Sequence, residues 1–325
     1  MRYVVFGAGA IGGAVGAGLH RAGREVVLVA RGAHLEALRR GGLELRTPSG
    51  SERLALRVVG APAELGLRAD DVALLAAKTQ DVPAALDAIR AGAGGAAAPA
   101  VVCLQNGLEA PRMALRCVEH VLGAMLMLPA AHLEPGVVEV YSDPCPGIVD
   151  VGRMPAGVDA LAESIAADLR AAGFASEVRA DLRRWQAAKL LSNLANALQA
   201  ACGADLRGLE DVVKALRAEA EACFRAAGIE CVGDPEMAAR VAGRVTPKRV
   251  GGRPRAGGSS WQSLARGSGT IETDYLNGEI ALLGRLHDVP TPVNAALQRL
   301  AARLARERRP PGEVPPDALR AALGI

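Results

Sequence analysis

The sequence predicts an α/β protein, a doubly wound parallel sheet followed by an all-helical C-terminal part. Three observations predict it. Short apolar runs alternate with helical stretches through the N-terminal half, the pattern of parallel strands joined by crossover helices. Glycines at positions 7, 9 and 12 follow directly on the first apolar run. From Ala180 onward long helical periodicities replace the alternation, which divides the chain into residues 1–180 and 181–325. A chain of 325 residues with an apolar share of 50% can fill two cores.

The first strand is read at residues 3–6 and runs into Gly7-Ala8-Gly9-Ala10-Ile11-Gly12, a G-x-G-x-x-G spacing. In that spacing the first glycine permits a tight strand-to-helix turn, the second lets backbone approach a pyrophosphate, and the third lets the helix pack closely on the strand. Ala14, Val15 and Leu19 then recur at helical spacing, and a second strand is read at residues 25–30. Strand, glycine turn, helix and strand in this order make a Rossmann-type unit for a dinucleotide. Its phosphates face the N–H groups of the helix's first turn, at Ala10, Ile11 and Gly12. The second strand ends in Val29-Ala30-Arg31, with no carboxylate to accept from a ribose 2′-hydroxyl. An Arg there pairs with a 2′-phosphate, so the expected cofactor is NADPH and Arg31 its phosphate ligand.

Further strands are read at residues 72–76, 100–104 and 121–127. Runs at 136–141 and 147–151, separated by Ser-Asp-Pro-Cys-Pro, read as a hairpin added to the sheet. A helix at 158–172 and a short strand at 175–179 close this part, and the Ala/Gly-rich run 91–100 reads as a helix end and loop. In open α/β sheets the ligand lies beyond the carboxyl ends of the strands. That draws attention to Lys78-Thr79-Gln80 and Gln105-Asn106-Gly107, polar clusters directly after apolar strands and expected near a nicotinamide ring.

Composition narrows the partners. A net charge of +3 and 2% aromatic residues argue against nucleic acid. The six cysteines form no C-x-x-C pair and the five histidines are scattered, so no metal site is expected and the thiols read as reduced. The first strand at Tyr3 leaves no room for a signal peptide, and no apolar run is long enough to span a bilayer. A cytoplasmic protein without a membrane partner is expected. The apolar faces of the helical part could pair two copies as a homodimer.

Of 38 basic residues only Lys78, Lys189, Lys214 and Lys248 are lysines. Arg cannot release a proton at neutral pH, whereas a desolvated Lys can, so a lysine kept in an Arg-rich chain is a candidate proton donor. Lys189, Asn193 and Asn196 fall at i, i+4 and i+7, on one face of a helix otherwise packed with Leu190, Leu191, Leu194 and Leu198. Such a stripe can line a polar groove in which amides orient a substrate and the Lys donates a proton; it would equally describe a face turned to water. Lys214 reads as a solvated helix charge. Four positive charges between Lys248 and Arg255 form a Gly-rich basic loop that could attract an anion. It is followed by Ser259, Ser260 and a helical stretch carrying Glu272, Asp274 and Asn277.

Together GAGAIGG, the strand-ending ARG, AAKTQD, LQNG, KLLSN, and SSW followed by IETDYLNGEI resemble the ketopantoate reductases (2-dehydropantoate 2-reductases), in order and spacing from Met1 to about residue 300. The resemblance implies NADPH-dependent reduction of 2-dehydropantoate to pantoate, on the route to pantothenate and coenzyme A, with hydride delivered to the keto carbon. It further implies that Lys189 protonates the forming alkoxide and that Glu272 is its partner carboxylate, close to both substrate and cofactor. Asn106, Lys78 and Gln80 would lie around nicotinamide and substrate. Asn193 would bind the substrate hydroxyl, and Ser260, twelve residues before Glu272, its carboxylate. The chain departs from the family where a second Asn and a Pro often follow the first. Here Leu194-Ala195-Asn196 shifts the second amide, which makes Asn196 the weaker match. A paralogue acting on another 2-keto acid and a non-catalytic NADP-binding sensor are the alternatives; the sensor predicts loss of Lys189 or Glu272, and both are present.

Overall fold

A computed structural model describes residues 1–95 and 97–325. Residue 96, inside the Ala/Gly-rich run 91–100, lies outside the described residues. The chain forms two units. The first comprises Met1–Gln105, Glu109–Arg183 and Asp234–Arg255; the second comprises Asn106–Leu108, Arg184–Gly233 and Ala256–Ile325.

In the first unit the strands are β1 (Arg2–Phe6), β2 (Glu25–Val29), β3 (Leu43–Thr47), β4 (Gly50–Leu54), β5 (Arg57–Val59), β6 (Val72–Leu75), β7 (Ala100–Cys103), β8 (Val121–Met127), β9 (Ala130–Ala131), β10 (Val137–Val140) and β11 (Ile148–Arg153). Seven form one sheet in the order β11-β8-β7-β6-β1-β2-β5, parallel throughout except for the antiparallel edge pair β8–β11. The central strands are buried along their whole length, as unbroken apolar runs in a sheet covered on both faces must be. β1 lies between β2 and β6, so the chain's winding reverses beside β1 and the crevice at its carboxyl end is the place for a ligand.

The expected hairpin does not form. β11 pairs with β8, from Ile148↔Met127 to Arg153↔Leu122, whereas β10 lies in a separate four-stranded sheet of order β4-β3-β10-β9. The two runs differ in what they can bury. Ile148 to Gly152 are all buried and suit a sheet covered on both sides, while β10 keeps Glu139 partly exposed and joins strands with a wet face. β3, β4 and β5 had no counterpart in the sequence reading, which followed unbroken apolar runs, whereas β3 alternates apolar and charged residues, Leu-Glu-Leu-Arg-Thr, as a strand with one wet face does. The run 175–179 forms no full strand; Ala175 and Val178 make isolated parallel bridges to Ile148 and Val151. The helix expected at 158–172 spans Ala160–Ala171, its N-terminus capped by Asp159, whose Oδ1 accepts the Ala162 N–H at 2.8 Å.

The sequence boundary at 180 is a single cut, but Asp234–Arg255 packs within the first unit. A charge explains the return. Asp150, in the middle of β11, is fully buried and accepts from Arg240 Nε at 2.9 Å and Nη2 at 2.5 Å, with Arg179 Nε at 3.3 Å. A buried carboxylate requires such partners, and the helix Asp234–Val241 supplies the principal one.

The second unit is helical: Asn196–Cys202, Glu210–Ala226, Ser259–Ala265, Asn277–His287, Pro292–Arg306 and Pro316–Leu323 join the helix Leu182–Asn193 around Leu190, Leu198, Leu216, Phe224 and Leu297. The Pro-rich tail is docked rather than loose. Gly312 and Val314 donate to the carbonyls of Ala200 and Ala201 at 3.0 and 2.9 Å, and Leu319 and Leu323 are buried.

Candidate active site

In the first unit, Gly7 ends β1 with φ +102°, and a Cβ there would come within 2.7 Å of the Ala77 backbone nitrogen. A Cβ on Gly12 would strike the Gly7 carbonyl and lie 2.8 Å from Val5. Gly9 differs, since its Cβ would meet only His132, at 3.9 Å. Two glycines thus serve the protein's own packing, and the third leaves space that no protein atom takes. The helix Ala10–Arg21 starts there, and Gly9 has no side chain with which to cap the first-turn N–H groups of Ala10, Ile11 and Gly12. Space and free donors at a helix N-terminus fit a pyrophosphate.

Arg31 is exposed at the end of β2, and its own helix, Gly32–Gly41, begins immediately after it. Among the described residues no side chain pairs with its guanidinium. Lys78 and Gln80 follow β6 at a 3-10 turn, Thr79–Asp81, and are half-buried. Gln105 is occupied structurally: its Nε2 donates to the carbonyls of Leu75 and Ala77, both at 2.8 Å, and so ties the ends of β6 and β7 together.

The basic loop folds back on its own unit. Lys248 Nζ lies 3.3 Å from Asp143, Arg249 donates to the Gly252 carbonyl at 2.9 Å, and Arg253 lies 3.8 Å from Glu139. Arg255, the last charge of that loop, keeps a buried Nε without a hydrogen-bond partner, and desolvation holds its guanidinium below the usual Arg range.

The second unit carries the remaining predicted residues. Asn106 and Gly107 belong to it, and Gly107, at φ +89°, has its Cβ position 2.7 Å from the Tyr275 carbonyl oxygen. Only glycine allows that approach, which sets Asn106 beside the 3-10 turn Glu272–Tyr275. Desolvation lowers the Arg266 guanidinium below its usual range, and the charge of Glu272 offsets part of that. Lys189 and Asn193 share the helix Leu182–Asn193, with Lys189 Nζ 3.4 Å from Ser192 Oγ.

Asn196 does not continue that face. The helix stops at Asn193 and a new one starts at Asn196. Ser192 Oγ donates back to the Lys189 carbonyl at 2.8 Å, a bond that competes with the helical ladder. Asn277 Nδ2 takes the Leu194 carbonyl at 3.2 Å, so a side chain satisfies that carbonyl at the break. Asn196 instead faces the start of the helix Ser259–Ala265: its Oδ1 lies 3.3 Å from where a Cβ on Gly258 would be, and Gln199 Oε1 lies 2.9 Å from it. Asn196 thus lies beside the N-terminus of the helix that carries Ser259 and Ser260.

Two of the predicted residues of this unit carry buried polar atoms with no hydrogen-bond partner, Asn193 Nδ2 and Ser260 Oγ, on residues 4% and 2% exposed. Leaving such groups unsatisfied costs about 1–3 kcal/mol each. Among the described residues no group of His, Cys, Asp and Glu is arranged to hold a metal, and no helix is long and apolar enough to cross a membrane.

The family model described as ketopantoate reductase PanE/ApbA matches residues 3–156, and that of its C-terminal region matches residues 181–305. A 2-dehydropantoate 2-reductase of Mesorhizobium japonicum is 32% identical, over 95% of this chain and 99% of its own. A ketopantoate reductase structure from Ralstonia eutropha superposes with a TM-score of 0.79 at 29% identity, covering 95% of this chain and all of that one. D-mandelate dehydrogenase with NADH and anilino(oxo)acetate shares the fold, with a TM-score of 0.81 at 21% identity over 95% of this chain and 99% of that one.

Proposed function

The chain belongs to the ketopantoate reductase family, oxidoreductases acting on CH–OH groups, and from that premise we propose that it reduces 2-dehydropantoate to pantoate with NADPH, in the cytoplasm, on the route to pantothenate and coenzyme A. The observation that carries this reading is the pair of unpartnered buried atoms, Asn193 Nδ2 and Ser260 Oγ, in the unit that also holds Lys189 and Glu272. A 2-keto acid with a hydroxyl offers acceptors for both. Ser260 takes the carboxylate and Asn193 the hydroxyl, with Asn196 and Asn106 as further amides around the substrate and Glu272 orienting it.

NADPH, when bound, supplies the hydride that goes to the keto carbon. As the C=O double bond becomes a single bond, charge gathers on the oxygen, and the Lys189 ammonium gives it a proton to complete the alcohol. Gly7, Gly9, Ala10, Ile11 and Gly12 receive the pyrophosphate, Arg31 the 2′-phosphate, and Lys78 and Gln80 the nicotinamide end. Support for NADPH over NADH comes from the exposed, unpaired Arg31 and the absence of a carboxylate beside it. Leu282 and Leu286, one helical turn apart and exposed, offer a face through which two copies can pair.

The test is NADPH oxidation by the purified protein with 2-dehydropantoate beside a panel of other 2-keto acids. Highest kcat/KM on 2-dehydropantoate is the expected result. Preference for another member of the panel would keep the chemistry and discard the pathway; tight NADPH binding without turnover on any of them would discard the enzyme reading.

A further inference from the structure

A histidine that this chemistry does not use holds the glycine turn from outside. His34, in the helix Gly32–Gly41, places Nε2 2.8 Å from the Ala8 carbonyl oxygen, and the Gly136 N–H lies 2.9 Å from its Nδ1. A backbone N–H can only donate, so Nδ1 must accept. The ring is therefore the neutral Nε2–H tautomer, and it donates to Ala8. Gly136 is itself fixed, its carbonyl accepting from Glu44 N–H at 2.9 Å. His132 closes the other side, its ring centroid 4.2 Å from that of His34 and its Cδ2 the atom nearest the open side of Gly9.

Ala8 stands between Gly7 and Gly9, where two glycines give the backbone its greatest freedom. The direction of the Ala8 carbonyl fixes the plane of the peptide leading into Gly9, and hence how the first-turn N–H groups of Ala10, Ile11 and Gly12 are aimed. We propose that His34 is a positioning residue for the dinucleotide: by clamping the Ala8 carbonyl it pre-aims those N–H groups at the pyrophosphate. The inference rests on the proposed nicotinamide dinucleotide reading. What His34 contributes is affinity for the pyrophosphate part of the cofactor, through a turn that need not be ordered at the moment of binding.

The experiment compares the full chain with His34→Ala, His34→Gln and His34→Asn, titrating NADPH and, separately, adenosine 2′-phosphate, which lacks the pyrophosphate. The Gln amide N–H reaches as far as Nε2 and can donate to Ala8; the Asn side chain is shorter and can only replace Nδ1 at Gly136. His34→Ala should raise the NADPH Kd about tenfold, leave kcat at saturating NADPH within twofold, and leave adenosine 2′-phosphate binding unchanged. His34→Gln should recover most of the affinity and His34→Asn should not. If His34→Ala does not fold, the Gln and Asn variants alone decide the matter. Equal NADPH affinity across the variants, an equal loss for adenosine 2′-phosphate, or rescue by Asn as good as by Gln would overturn the inference. A wild-type chain that binds no nicotinamide dinucleotide would overturn the functional reading itself, and this inference with it.

Discussion

Lys189 gives the sharpest test of the chemistry. Because its proton matters only once charge has gathered on the substrate oxygen, Lys189→Ala should lower kcat about 10²–10⁴-fold while the NADPH Kd stays within about twofold. Single-turnover kinetics and a separate binding titration distinguish the two; loss of both together would argue for a structural role. Arg31→Ala should weaken NADPH by about 1.5–3 kcal/mol, the value of a hydrogen bond to a charged group, and leave NADH unchanged. Parallel titration of the two cofactors checks it. His34 supplies a pH dependence. Burial holds its imidazole below the usual range, so the unfolded chain takes up this proton first as pH falls. Its contribution to stability should be complete above the ordinary histidine value near 6.5 and should shrink as pH drops from there toward the depressed native value. The slope of urea midpoint against pH in that window should flatten in His34→Gln. At this scale Gly7 and Gly12 were legible, since their packing roles follow from what a Cβ would strike. His34 and Gln105 were not, because both act through backbone groups that only the fold brings to them.

At the scale of elements, the Lys189 helix shows where periodicity fails as a guide. Counting i, i+4 and i+7 places Asn196 beside Lys189 only if the helix continues, and the helix breaks after Asn193. Serine back-bonding at Ser192 and the capture of the Leu194 carbonyl by Asn277 are short- and long-range causes that no apolar pattern records. Asn277 in turn donates to Asn294 Oδ1 at 3.1 Å, and Asn294 Nδ2 reaches Glu219 at 2.8 Å. Glu219 also accepts the N–H groups of Val293 and Asn294, capping the helix Pro292–Arg306 from a neighbouring helix. Asn277→Leu should cost about 1–3 kcal/mol by leaving buried carbonyl oxygens without a donor. It should also raise the KM for the keto acid more than the Kd for NADPH. Thermal unfolding and steady-state kinetics measure the two effects; an unchanged KM would separate this network from the amides that it borders. The strands were legible where both faces are buried, as in β1, β6 and β7, and illegible where Glu and Arg alternate with Leu, as in β3.

For the molecule as a whole, the discontinuous first unit matters more than any one element. Most strands of its large sheet were readable in order, yet the stretch that completes the unit lies beyond the fifty residues Arg184–Gly233 of the helical unit. Arg240→Ala should destabilise the protein by about 3 kcal/mol, the low end for breaking a buried pair, because Arg179 still faces Asp150. A loss of unfolding free energy under about 0.5 kcal/mol in urea titration would show the pair to be dispensable. The same feature has a consequence during synthesis. A ribosome adding about 5–20 residues per second needs about 5–20 seconds to travel from Asp150 to Arg255. Throughout that interval the nascent sheet has an acid in its edge strand and no Arg240 to neutralise it. Chaperone capture should therefore be strongest in that window and end only once the helix Asp234–Val241 has left the exit tunnel.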